Sequence, residues 1–561
     1  YPLRRQRQMC IRDSCMCAVT GKTVTEGDVE VSEGIDYARF YTTTMKKFTA
    51  LPDVNIAPKG TILVISPWNF PCAIPIGGIV AGLAGGNTVI LKPATVAAPV
   101  AWLFAKAFWD AGVPKEALQV IITDRPALKE LTTAPAIRHI ILTGGTDTAQ
   151  NIARSNPATP LSAETGGKNT IILTASGDRD HAIMNIVASA FGNAGQKCSA
   201  CSLLLVERSV YEDKNFQDKL KDAATSMKVG SVWEAGNVVG PMITNQNDKL
   251  LQALTLEPGE SWLVPPRFID KKQYILAPTV KWGVKPGNYS FRTELFGPLL
   301  SVACIENLQE GIRLVNSLDY GLTSGLQSLD ENEQKLWKDS IMAGNLYINR
   351  GITGAIVNRQ PFGGMKLSAF GGGVKAGGPN YCACFVKITD KAGSNTNYKQ
   401  SYAHAYEEEF AHARDVNNLY GEQNAFRYLP LKNMVLRLFP GDSNEEAEMI
   451  ALAAILCHTP LTISFGPDDD RTAALSSAGC TLKKETLEDF LKTMKDYERI
   501  RTCGANIPME MYVEAARTDK YIATARPVKD GRMELIHYIK EQSISFEYHR
   551  YGSILDVPPV E

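Results

Sequence analysis

The sequence predicts an α/β protein with parallel, doubly wound sheets, and three observations carry that expectation. Short apolar runs of roughly four to six residues alternate with amphipathic stretches of roughly ten to fifteen, the signatures of strand and helix in turn. The 561 residues are enough to bury several cores, which sets an expectation of about two to four domains. Composition is that of an ordinary soluble protein, 44% hydrophobic and 21% charged, with a formal net charge of -1.

That charge balance gives no electrostatic reason to expect nucleic acid or an acidic membrane as partner. No apolar run reaches the roughly 18 to 20 residues of a membrane-spanning helix. The longest candidate, 74–84, is broken by Gly77, Gly78 and Gly82. Twelve cysteines are scattered without a pair of CxxC units at zinc spacing, so no metal site is expected. With no signal peptide, the expected setting is the reducing cytoplasm. Residues 1–14 are basic and carry neither helical nor strand period. We therefore expect residues 1–20 to be a non-native or disordered segment.

The elements follow in order. A helix is expected over 33–48, a buried strand over 60–65, and a small Gly-rich helix over 76–84 that stops at Gly85-Gly86. Next come a strand over 88–91, a helix over 99–110, and short strands over 118–122 and 139–142. A second α/β series starts with a strand at 169–173. It continues with a helix at 180–191, a strand at 202–207 and a helix at 211–227, and runs to about residue 388. Around 391–402 the composition turns to Lys, Gly, Ser, Asn and Thr and periodicity is lost, as in a linker. A third α/β unit follows, with helices at 445–456 and 487–494 and a strand at 461–465.

Four short segments carry chemistry. They are Pro67-Trp68-Asn69-Phe70-Pro71, Leu161 through Glu164 to Lys168, Gly195-Gln196-Lys197-Cys198-Ser199, and Glu294-Leu295-Phe296-Gly297-Pro298. Each alone reads as an ordinary loop or core feature. Together they supply the parts of thiol-based aldehyde oxidation. Cys198 follows a helix and a segment, 192–195, expected to be flexible, so its sulfur can stand free and attack a carbonyl as thiolate. The amide of Asn69 and the backbone N–H of Cys198 can stabilise the oxyanion that develops. Hydride transfer to a nicotinamide leaves a thioester, whose hydrolysis needs a general base such as Glu164.

These segments, with Lys92 in Leu91-Lys92-Pro93-Ala94 as a fifth match, make the chain resemble the aldehyde dehydrogenase superfamily from about Gly21 to Lys391. The resemblance implies a Rossmann-like NAD-binding domain over 21–168, a catalytic domain over 169–371, and a return segment and linker over 372–402. A C-terminal α/β domain over 403–561 would follow. It implies that Lys92 bonds the adenosine ribose, Glu294 bonds the nicotinamide ribose, and Phe296 packs near the nicotinamide. Ile65, Ser66 and Trp68 would line the adenosine side. The Gly144-Gly145-Thr146 turn would place the pyrophosphate at a helix N-terminus. Thr95 stands where many NAD-specific members carry glutamate, which leaves some NADP use open.

Residues 349–364 and 375–381 resemble the branch of this family that oxidises L-glutamate γ-semialdehyde, the open form of 1-pyrroline-5-carboxylate. There the loop bearing Gly354 and Ala355 holds the amino-acid end of the substrate through backbone N–H groups, and Ser199 bonds the same carboxylate beside Lys197. Segments of the third unit, among them 421–428 and 541–552, resemble the C-terminal domain of long bifunctional proline utilization A flavoenzymes. This implies a fragment of a longer protein whose FAD-dependent proline dehydrogenase part is not in this sequence. It also implies a homodimer formed through 49–61 and 384–388. Three other readings stand beside it. One is acyl transfer to coenzyme A, which Glu164 opposes. Another is an aldehyde dehydrogenase for a different aldehyde, which the 354–355 loop opposes. The third is an inactive truncated fragment that acts as a binding or structural module.

Overall fold

The computed structural model describes residues 14–244, 247–272, 274–469, 471, 479–504, 506–554 and 560. Two large sheets and a third smaller one organise the chain. The first runs, in spatial order, through Ala369–Phe370, Leu161–Glu164, Ile137–Thr143, Thr61–Ser66, Thr88–Pro93 and Leu118–Val120. All neighbours in it are parallel except the first pair. Helix Ala73–Ala84 packs on this sheet and against the long helix Val24–Thr49. A Cβ on Gly34 would lie 2.9 Å from the Ile76 side chain, and one on Gly77 3.3 Å from the Tyr37 ring, so glycine lets the two helices approach. Val24–Thr49 begins well before the expected residue 33, because Gly27 weakens the helical pattern in the sequence yet is buried inside the helix.

The second sheet has nine strands, and the outcome differs from a third unit standing wholly apart. Its order is Glu422–Pro430, Ile539–Glu547, Asn345–Ile348, Thr323–Gln327, Asn169–Leu173, Cys201–Glu207, Leu299–Ile305, Thr279–Trp282 and Ser261–Val264. The first two strands come from the C-terminal segment, and Ile539–Glu547 pairs in parallel with Asn345–Ile348. The rest of the C-terminal segment forms a five-stranded parallel sheet ordered Thr481–Lys484, Leu461–Phe465, Met434–Arg437, Arg499–Arg501, Tyr521–Ala523. Its helix Asn444–Leu456 opens on a capping box between Ser443 and Glu446.

Three other expectations are corrected. Residues 14–20 are helical, with Met16 and Thr20 buried, so folded structure starts ahead of residue 21; residues 1–13 lie outside the described residues. The stretch 391–402 is not all linker, since Asn397 caps a helix Tyr398–Ala405 whose Tyr402 is fully buried. The expected helix 211–227 breaks after Tyr211, and Asp213 caps its continuation Lys214–Ser226. Val54–Pro58 and Val386–Asp390 pair as a separate antiparallel ribbon. Among the described residues, no helix is long and apolar enough to cross a membrane and no acidic, histidine and cysteine cluster suits a metal ion.

Candidate functional site

Cys198 lies past the C-terminus of helix Arg179–Phe191, on a turn that is tightly built rather than flexible. Asn193, Ala194 and Gly195 all take left-handed backbone angles, with φ of 52°, 54° and 69°. A Cβ on Gly195 would collide with the carbonyl of Gly297, so the turn is pressed against backbone. Gln196 braces it: its side chain donates to the Asn193 carbonyl at 3.1 Å and accepts from the Ile243 N–H at 2.8 Å. Asn169 closes the other side, donating to the Cys198 carbonyl at 2.6 Å and the Ala200 carbonyl at 3.0 Å. Sequence reasoning missed the bracing roles of Asn169 and Gln196: Gln196 lies in the Cys198 segment, but the contacts of both are with residues that no local pattern marks.

The Cys198 sulfur is half-buried, with the backbone N–H groups of Cys198 and Ser199 directed at it and the carboxylates of Glu294 and Glu164 in electrostatic reach. Burial and then the two carboxylates push the thiol up to about 12, against the pull of the N–H groups. Asn69 is buried, and its amide donates to the Gln196 carbonyl at 3.1 Å, which places it beside the nucleophile turn. Its loop is held by Glu30, which accepts from the Cys72 and Ala73 N–H groups at 2.6 and 3.1 Å.

Glu164 ends strand Leu161–Glu164. Its Oε2 accepts from the Gly364 N–H at 3.1 Å. Burial pushes its carboxyl up to about 8, with Lys375 and the Gly364 N–H pulling the other way. Glu164 and Cys198 border one cavity of about 70 Å³, which Tyr37, Tyr41 and Tyr381 also line. The base and the nucleophile expected from the sequence therefore border the same cavity.

The expected cofactor residues gather at one sheet edge. Ile65 pairs in register with Lys92 on one side and Leu142 on the other, at the C-terminal ends of three parallel strands. Gly144 and Gly145 follow, and Gly145 caps helix Thr146–Ser155. Such an edge is where open α/β sheets bind ligands. Ser66 Oγ is buried and finds no hydrogen-bond partner among the described residues. Among the described residues nothing pairs with the half-buried Lys92 ammonium, which burial pulls below the usual lysine range. Trp68 and Phe296 meet edge to face at 5.8 Å, and Phe296 takes a φ of 52°. Glu294 accepts from the Gly167 N–H at 2.8 Å. Thr95 stands exposed at the start of a short helical turn.

The expected substrate residues are more dispersed. Ser199 is buried next to the nucleophile, whereas Lys197 is committed to an ion pair with Glu26 at 2.7 Å. Gly354 and Ala355 lie on the loop after strand Asn345–Ile348, tied to the helix before Cys198 by Ile352 N–H donating to Ser189 Oγ at 3.0 Å. Behind this loop Arg350 and Arg359 both pair with Glu422 of the C-terminal segment, at 2.7 and 2.8 Å.

Residues 3–390 match the aldehyde dehydrogenase family. A 1-pyrroline-5-carboxylate dehydrogenase of Geobacillus sp. (strain WCH70) is 34% identical over 387 residues, 65% of this chain and 74% of that protein. The structure of proline utilization A from Corynebacterium freiburgense matches 98% of this chain at 36% identity with a TM-score of 0.86, and the chain spans 56% of that protein. A Thermus 1-pyrroline-5-carboxylate dehydrogenase with bound NAD matches 69% of this chain and 78% of its own, at 31% identity and a TM-score of 0.65. The chain belongs to the aldehyde dehydrogenase family.

Proposed function

We propose that this chain oxidises L-glutamate γ-semialdehyde, formed from 1-pyrroline-5-carboxylate, to L-glutamate with NAD, as a step of proline catabolism. The observation that carries the reading is the single cavity bordered by Cys198 and Glu164, with Asn69 beside the nucleophile turn. The similarity to proteins named for 1-pyrroline-5-carboxylate and for proline utilization supports the choice of aldehyde.

In this reading Cys198 gives up its proton to solvent, and the thiolate sulfur bonds to the aldehyde carbon while the carbonyl π electrons move to oxygen. The Asn69 amide and the Cys198 N–H stabilise that oxygen; losing one such donor typically costs about 100- to 1,000-fold in rate. The orphaned Ser66 hydroxyl, the unpaired Lys92 and the open Gly144-Gly145-Thr146 turn fit a dinucleotide, with Glu294, Phe296, Ile65 and Trp68 around it. When bound, NAD supplies the hydride acceptor. Glu164 then takes a proton from water as the water oxygen bonds to the thioester carbon. The C–S bond breaks, and Cys198 leaves as a thiolate that regains the proton. Ser199 and the Gly354–Ala355 loop hold the amino-acid end of the substrate, while the Lys197 ammonium is held by Glu26. Exposed Thr95 offers no charge against a 2′-phosphate, so NADP serves as a weaker alternative.

The proposed context is a longer cytoplasmic protein that also carries an FAD-dependent proline dehydrogenase domain. The proposed assembly is a homodimer through the ribbon Val54–Pro58 and Val386–Asp390, several of whose side chains are exposed; light scattering tests it. The function is tested by NADH formation with 1-pyrroline-5-carboxylate against propanal. Faster turnover of propanal overturns the substrate, and activity surviving Cys198→Ala overturns the mechanism.

A further inference from the structure

One buried lysine reaches the candidate base through a single peptide unit. Lys375 is 1% exposed, and its ammonium donates to the Gly363 carbonyl and to Asn345 Oδ1, the latter at 2.9 Å. The N–H of the same peptide, that of Gly364, donates to Glu164 Oε2 at 3.1 Å. The Gly363–Gly364 peptide is thus polarised at its oxygen by a cation and presents its N–H to the carboxylate. Hydrogen bonds arranged head to tail strengthen one another in a low-dielectric interior. Asn345 Oδ1 also accepts from the Gly363 N–H at 3.2 Å, which fixes the peptide from its other end. Gly344 is pressed against this unit, where a Cβ would lie 2.8 Å from the Lys375 ammonium.

The lysine is itself held from the C-terminal segment. Glu541, on strand Ile539–Glu547, accepts from the Lys375 backbone N–H at 2.6 Å and from Asn380 Nδ2 at 2.7 Å. Glu541 is buried, and its carboxylate lies within electrostatic reach of the Lys375 ammonium.

We propose that Lys375 is a positioning residue for Glu164, acting through the Gly363–Gly364 peptide, and that Glu541 lends it support from the C-terminal segment. The inference rests on the reading of Glu164 as the base that hydrolyses the thioester. The added strands then do more than extend the sheet, because they also hold the group that aims the base.

The test is pre-steady-state NADH formation by the full chain with 1-pyrroline-5-carboxylate. Lys375→Met is expected to keep the first-turnover burst within about twofold, since Cys198 and Asn69 are untouched. Its steady-state rate is expected to fall tenfold or more with KM unchanged, and acyl-Cys198 to accumulate in mass spectra of quenched protein. Lys375→Arg restores part of the rate, and Glu541→Gln lowers it about two- to tenfold. Wild-type steady turnover in Lys375→Met overturns the proposal, as does parallel loss of burst and turnover in all three variants. Steady turnover by Glu164→Gln instead overturns the base itself and leaves a separate signature. Hydrogen exchange at the Gly364 amide reads the same contact without turnover. Faster exchange in Lys375→Met at an unchanged Tm supports the inference, and unchanged protection overturns it.

Discussion

The side chain of Asn169 donates to the carbonyl of Cys198 at 2.6 Å, and its own oxygen accepts from the Thr323 N–H at 3.0 Å. One residue at the start of a strand therefore ties the Cys198 peptide to the next strand of the nine-stranded sheet. Asn169→Ala leaves the Cys198 and Ala200 carbonyls without these donors, an expected cost of about 1–3 kcal/mol each where buried. Misplacing the sulfur matters more than that loss. The expected outcome is a first-turnover NADH burst slowed at least tenfold, measured by stopped flow, with a Tm only a few degrees lower.

The pH profile follows from Glu164. Burial raises its carboxyl to about 8, and the groups that face it are Lys375, the Gly364 N–H, Tyr37, Tyr381 and the Cys198 thiol. A base acts as carboxylate, so thioester hydrolysis is lost as pH falls through about 8 and is restored above it. An unshifted glutamate would give a flat profile above roughly pH 6. Steady-state rates should climb from pH 6 towards 8; above that Lys375, pulled down to about 8 by burial, loses the charge that aims the base. The burst rate should rise along a more alkaline limb, because the thiol is pushed up to about 12.

Gly195→Ala probes the left-handed turn. Its φ of 69° already disfavours a side chain, and the added methyl meets the Gly297 carbonyl. Backbone strain of about 1–3 kcal/mol adds to a comparable overpacking cost. Denaturant unfolding should show a loss of several kcal/mol, and aldehyde oxidation should be abolished. A variant with normal stability and rate would mean that the turn is not needed in this form.

Cofactor choice is tested at Thr95. A carboxylate there would face a 2′-phosphate close to Lys92, and like charges at that range repel. Thr95→Glu should lower the NADP-supported kcat/KM at least tenfold and leave the NAD-supported value within about threefold. Equal loss with both cofactors would place Thr95 away from the ribose.

Much of the fold was legible because its strands are continuous apolar runs bounded by turn residues. Asn169–Leu173 and Leu461–Phe465 have the expected limits, and both are largely or wholly buried. Glu422–Pro430 and Ile539–Glu547 were not legible as strands of the catalytic sheet. Their polar residues face partners such as Arg350 and Lys375 from distant parts of the chain, and no local pattern announces those pairings. Helix Val24–Thr49 hid its first turns behind Gly27, which reads as a break in the sequence and is buried in the helix. In the site, Cys198, Glu164 and Asn69 stood out through motifs, whereas Asn169, Lys375 and Glu541 act through contacts between separated segments. Lys375 did carry a weak signal, as a lone cation inside a glycine-rich run.

The pair Lys22 and Glu30 ties the helix Val24–Thr49 and the residues just before it to the loop that follows Asn69. Both side chains are 1% exposed; the lysine lies 3.8 Å from the Phe70 ring centre, and Glu30 caps the loop that follows Asn69. Breaking such a pair from one side leaves a buried charge, which typically costs about 3–5 kcal/mol. Lys22→Met should therefore destabilise by that order in denaturant unfolding. Lys22→Met combined with Glu30→Gln should recover part of the loss, because the glutamine carbonyl still accepts from Cys72 and Ala73 without carrying charge. If the double variant is no more stable than the single one, the loss belongs to packing around Phe70 rather than to the stranded carboxylate.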